Sequence, residues 1–145
     1  MKSYTNILLA LELEPKSDKA VLSKAKELVQ QFHATLWIIH SVEHLSSYGA
    51  AYGVAAGIDV DEILKKEAEQ LMKKIAKSVD IPETQTFVKE GPAKQNILHK
   101  AQEIKAELII VGSHGRHGVQ LLLGSTANAI IHGAECDVLA VRVHS

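Results

Sequence analysis

Short apolar runs alternate with amphipathic helical patterns along the chain. They predict an α/β domain with a doubly wound, Rossmann-like, five-stranded parallel sheet, strand order 3-2-1-4-5, and helices on both faces. Three observations carry that expectation. The runs Ile7–Leu11, Leu36–Ile39 and Leu108–Val111 are short and continuously apolar, the pattern of strands buried on both faces. Between them lie segments with an apolar stripe at helical spacing. A glycine-rich stretch follows Leu108–Val111, where this strand order places a ligand crevice.

The first strand covers Tyr4 to Leu11 and ends at Glu12. Pro15 disfavours helix in the residue before it, so Leu13 to Lys16 turns the chain. Ser17 suits an N-cap and Asp18 a first turn, and Ala25, Leu28, Val29 and Phe32 form one stripe, predicting a helix from Ser17 to about His33. Ala34 to Ser41 is the second strand, which completes a βαβ unit with a right-handed crossover.

From Val42 to about Ile58 the pattern lapses. Ser46 to Gly57 is rich in small residues, with three glycines and two tyrosines. It reads either as a functional loop, such as a lid, or as a plain connector. A second helix starts near Asp59, with the stripe Leu64, Ala68, Leu71, Met72, Ile75 and Val79. Its lysines are interspersed with acids and lack aromatic partners, so they read as a solvated face rather than a basic patch. Thr84 to Lys89 alternates as an edge strand. Pro92 opens a third helix with the stripe Ile97, Leu98, Ala101 and Ile104. The strand Leu108–Val111, a short helix from Ala127 to Ala134 and a final strand from Asp137 to Val143 complete the chain.

The glycine stretch is Gly112-Ser113-His114-Gly115-Arg116-His117-Gly118, continued to Gly124-Ser125-Thr126. Glycines let a backbone approach an anion, and the free N–H groups at a helix start favour negative charge. Ser125 and Thr126 add hydroxyl donors and Arg116 a positive charge. The competing reading is turn chemistry alone. The order 3-2-1-4-5 reverses between strand 1, ending near Glu12, and strand 4, ending at Val111, so position and composition point to one place.

Composition narrows the classes. The 145 residues suit one domain, 1–145, with a core that needs no metal or disulfide. A net charge of −1 supplies no field for nucleic acid or an anionic membrane. The single cysteine, Cys136, forms no internal disulfide, and no signal peptide or long apolar run is present, so a cytoplasmic location is expected.

Taken together, the chain resembles the bacterial universal stress proteins of the UspA-like family. The marks are Ile7-Leu8-Leu9-Ala10-Leu11-Glu12, Ile38-Ile39-His40, Gly112-Ser113-His114-Gly115 with Gly124-Ser125, and Cys136 to Arg142. The resemblance spans nearly the whole chain. It implies a stress-response role and a homodimer joined through the last strand, with an unidentified downstream protein partner. Val138 to Val143 would otherwise be an apolar open edge, a template for another chain.

The resemblance further implies either ATP binding or membership of the family's non-binding branch. Binders carry Gly-x2-Gly-x9-Gly-Ser/Thr. Here Gly112 and Gly115 fit, as do Gly124 and Ser125, but the gap from Arg116 to Leu123 is eight residues. Binders usually have Asp where Glu12 stands, and often Val where Ser41 stands. The expected cofactor is ATP or a relative, with magnesium. Base and ribose are expected near Ala10, Glu12 and Ser41, and phosphates near Val111, Gly112, His114, Gly115, Arg116, Gly124, Ser125 and Thr126.

Other chemistries fit less well. His114 and His117 lack a third metal ligand nearby, His40 reads as a satisfied rim histidine, and Cys136 reads as packing. The loop has no P-loop lysine, strand 1 is not followed by the Ser-Gly-Gly loop of an ATP pyrophosphatase, and no nucleophile–base pair is apparent. The expectation is therefore a binding or signalling module rather than an enzyme, with slow ATP hydrolysis and a nucleotide-free dimeric scaffold as alternatives. No catalytic or metal residue is assigned.

Overall fold

The computed structural model of the protein describes residues 3–42, 60–113 and 124–143. The strands are β1 (Asn6–Ala10), β2 (Thr35–Val42), β3 (Thr86–Glu90), β4 (Leu108–Gly112) and β5 (Asp137–Val141). The helices are α1 (Pro15–Phe32), α2 (Val60–Ser78), α3 (Ala93–Glu103) and α4 (Ser125–Gly133). The strands form one sheet in the order β3-β2-β1-β4-β5. All four pairings are parallel, with Ile7 opposite both Leu36 and Leu108.

The run Ile7-Leu8-Leu9 is fully buried because β1 is the central strand and both its faces are covered. Ile7 and Leu9 pack with Val21 and Ala25 of α1 and Met72 of α2. Leu8 packs on the other face with Ile97 of α3 and Ile130 of α4. Each fully buried aliphatic side chain contributes about 1.5–3 kcal/mol. The edge strand β3 is half-buried and alternates as expected, with Val88 on the first face and Phe87 on the second. Phe87 stacks on Trp37 at 6.0 Å, and the Lys100 ammonium lies 4.0 Å from its ring centroid, closing that side of the sheet.

Several boundaries differ from the sequence reading. Helix α1 starts at Pro15, with Glu14 extended at the N-cap, so Ser17 is not the cap but lies buried in the first turn. A proline in the first helical position gives up an N–H that needs no partner, which lets the helix start earlier. Leu71 is 44% exposed rather than core, because α2 meets the sheet through Ala68, Met72 and Ala76. Thr84 lies in a 3-10 turn, Glu83–Gln85, closed by Gln85 N–H donating to Pro82 O, and β3 starts at Thr86. The last strand stops at Val141, and Val143 is buried in its own chain's first cluster instead of extending the edge. The Ser46 to Gly57 loop, the start of α2 near Asp59, and His114 to His117 lie outside the described residues.

Candidate functional site

The carboxyl ends of β1, β2 and β4 meet where the strand order reverses. Ala10 ends β1, packing on the α3/α4 face, and Leu11 N–H continues the ladder to Ile39 O at 2.9 Å. Glu12 follows and is exposed. Val111 packs on the same face as Ala10. Ser41 is in the last turn of the β2 ladder, opposite Lys89 of β3. Ala10, Ser41 and Val111 thus lie near the carboxyl ends of β1, β2 and β4, and Glu12 follows β1 by two residues.

The glycine stretch leaves β4 through Ser113 and returns at Gly124, and the two are joined directly. Gly124 N–H donates to Ser113 O at 2.9 Å, and Ser113 N–H to Val141 O at 2.8 Å. Gly124 is buried and extended, and it serves as the N-cap of α4 without a side-chain cap. The first intrahelical bond runs from Asn128 N–H to Gly124 O at 2.9 Å. The backbone N–H groups of Ser125, Thr126 and Ala127 therefore precede the helical ladder. Ser125 is exposed and Thr126 half-buried, so the helix start opens outward beside the end of β4.

At Gly112 the backbone is closely packed. A Cβ there would sit 3.3 Å from Val143 and 3.6 Å from Val21, so the missing side chain makes room for α1 and for Val143, just after β5. His114, Gly115 and Arg116 lie outside the described residues.

Four residues near these strand ends were passed over or underused by sequence reasoning. Asn96, in the first turn of α3, donates from Nδ2 to Ser41 Oγ at 2.9 Å and to Glu90 O at 3.0 Å. The carbonyl can only accept, which fixes the amide orientation. Its signal was a polar residue just after Gly91-Pro92, where a turn needs tying; Gly91 has φ of 107°. Ser113 also accepts at Oγ from Val143 N–H, at 3.3 Å. His40 donates from Nδ1 to Leu11 O at 2.7 Å, and burial lowers its pKa.

The fourth is Asp18, read in the sequence only as a first-turn acid. It is 6% exposed, and the backbone N–H groups of Glu12 and Glu14 donate to its carboxylate. Burial pushes its carboxyl up from 3.8 to about 6, against those two hydrogen bonds, and the carboxylates of Glu12 and Glu14 push the same way. A raised acid binds more protons folded than unfolded, so its ionised form costs stability. That cost is full above about pH 6 and is relieved as pH falls towards 3.8. Asp18→Asn is therefore expected to raise stability by about 1–3 kcal/mol near neutral pH. The gain should shrink by roughly 1 kcal/mol at about pH 5, as read from urea midpoints followed by the fluorescence of Trp37. An equal gain at both pH values would contradict the assignment.

Among the described residues no group of three or more His, Cys, Asp or Glu is arranged to hold a metal. No described helix is long and apolar enough to cross a membrane. A separate concavity of about 290 Å³, lined by Leu98, Lys105, Ile109 and Cys136 among others, lies between the C-terminal ends of α3 and α4. It is at the amino ends of β4 and β5, away from the strand-order reversal, and Cys136 packs there against the second cluster.

A sequence model of the universal stress protein family matches residues 3–142. Universal stress protein A homolog 2 of Coxiella burnetii is 58% identical over 143 residues, spanning 99% of this chain and 98% of that protein. The structure of the universal stress protein UspA from Lactobacillus plantarum superposes with a TM-score of 0.81 at 22% identity, over 98% of this chain and all of that one. A universal stress protein solved in complex with cAMP shares the fold at a TM-score of 0.61 and 23% identity, over 97% of this chain and 98% of that one. The chain therefore belongs to the universal stress protein family.

Proposed function

We propose that the protein is a cytoplasmic, homodimeric stress-response module of one domain that binds ATP or a closely related nucleotide at the reversal between β1 and β4. The observation that carries this is the hydrogen bond from Gly124 N–H to Ser113 O. It anchors the start of α4 beside β4 whatever the length of the excursion between them. The eight-residue gap from Arg116 to Leu123 lies between these two joined residues.

The residues fit the group. Uncapped N–H groups at Ser125 and Thr126 suit phosphate, joined by Gly124 and, from the loop, by His114, Gly115 and Arg116. Glu12 supplies an exposed acceptor for ribose or base, and Ser41 stands at the end of β2 beside the base position. Magnesium enters with the triphosphate. The cAMP complex of a relative with this fold favours an adenine nucleotide. Binding and signalling, not turnover, is the activity; any slow hydrolysis of ATP is incidental. β5 lies at the open edge with Val138 to Val141 half-exposed, which suits pairing with a second copy.

Titration calorimetry with ATP, with and without magnesium, tests the reading, alongside sedimentation of the same sample. Saturable heat at micromolar to millimolar ATP and a dimer mass are expected. Glu12→Ala should weaken binding at least tenfold, about 1.4 kcal/mol. No heat at millimolar ATP would assign the protein to the non-binding branch, and a monomer at high micromolar concentration would overturn the dimer.

A further inference from the structure

Between β1 and α1 the chain makes an unusual turn. Leu13 has φ of 58°, the left-handed region that a bulky residue adopts only when its surroundings hold it there. Two constraints hold it. The Leu13 side chain is half-buried against the first core cluster. On either side, the N–H groups of Glu12 and Glu14 point to one acceptor, the carboxylate of Asp18 one turn into α1. Asp18 N–H in turn donates to Glu14 O at 2.9 Å. The loop bearing Glu12 is thus tied to the helix at both flanks of its strained residue.

We infer that Asp18 is the positioning residue of this loop, and that its protonation loosens Glu12 and lowers the affinity of the nucleotide site in mildly acidic conditions. This rests on the nucleotide reading of that site. A carboxylate accepts from N–H groups about twice as strongly as a neutral acceptor, so taking up a proton weakens both ties together. Burial places the titration at about 6, within reach of a modest acidification.

Among the described residues, the charged groups on the elements around Asp18 are as follows. Glu12 and Glu14, on the loop, both raise the carboxyl. Lys16 and Lys19, beside Asp18 on α1, are exposed. The only titratable residue of β2 is His40, whose pKa burial lowers and which is bonded to Leu11 O. β1 and β4 have no ionisable side chain. In β5 only Asp137 ionises, and it pairs with Leu108 at the far end of the sheet; Arg142, just beyond β5, is exposed.

Two measurements on the full chain test the inference. The first needs no ligand: the amide proton shifts of Glu12 and Glu14 are followed by NMR across pH. In wild type both should move with a shared midpoint near 6, and in Asp18→Asn neither should. Calorimetry with magnesium-ATP at about pH 7.5 and about pH 5.5 is the second. Wild type should lose about fivefold more affinity on acidification than Asp18→Asn, a coupling of ordinary size, and the comparison cancels the titration of ATP itself. Amides that do not titrate, or that titrate equally in the variant, would overturn the anchor. Amides that titrate while both proteins lose affinity equally would overturn its link to the site. Titrating amides with no ATP heat at either pH would overturn the nucleotide reading and that link, leaving the anchor demonstrated.

Discussion

Ser125→Asp is expected to abolish nucleotide binding, with a loss of at least a hundredfold, about 2.7 kcal/mol, while leaving the fold intact. Ser125 is the exposed first residue of α4, directly after the N-cap Gly124. A carboxylate there is favoured by the helix dipole, so thermal stability should hold or rise by about 0.3–1 kcal/mol. The same carboxylate would occupy and repel the place proposed for phosphate. Opposite signs in the two readouts separate a binding role from a structural one. If Ser125→Asp bound ATP like wild type, the phosphates could not lie at the start of α4. Calorimetry and a thermal melt on one preparation decide it.

Gly112→Val is expected to destabilise the protein by about 2–3 kcal/mol, as overpacking of a tight contact does. The first added carbon already stands 3.3 Å from Val143 and 3.6 Å from Val21, and a valine adds two methyl groups beyond it. The displaced elements would be α1 and the residue after β5, which Ser113 also holds through Val143 N–H. Urea unfolding followed through Trp37 would give the loss as a lower midpoint with unchanged slope. A midpoint within experimental scatter of wild type would mean that Val143 swings away freely. Truncation of Val143 to Ala should then relieve Gly112→Val if the clash is the cause.

The sheet order was legible in the sequence. Runs such as Ile7–Leu9 and Leu108–Val111 have no polar face, so they can only be central parallel strands with helices on both sides. Once that is set, chirality and strand order put the end of β1 beside the end of β4. Boundaries were less legible. Leu71 shares the apolar periodicity of α2, yet the helix meets the sheet along Ala68, Met72 and Ala76, where small residues allow close approach. Val143 continues the apolar pattern of β5, but the space left by Gly112 draws it into the core.

Residue types and their spacing thus determined the architecture, the family and the candidate crevice, because hydrophobic periodicity and glycine placement are local properties of the chain. Which polar groups meet near these strand ends was decided by tertiary structure. Asp18 and the backbone of Glu12 are brought together by the turn at Leu13, Asn96 and Ser41 by the packing of α3 beside β2, and Ser113 and Gly124 by the return of the loop to β4. A hydrogen bond depends on distance and direction between groups far apart in the chain, and burial sets the charge of Asp18; neither is written in the identity of the residues that take part.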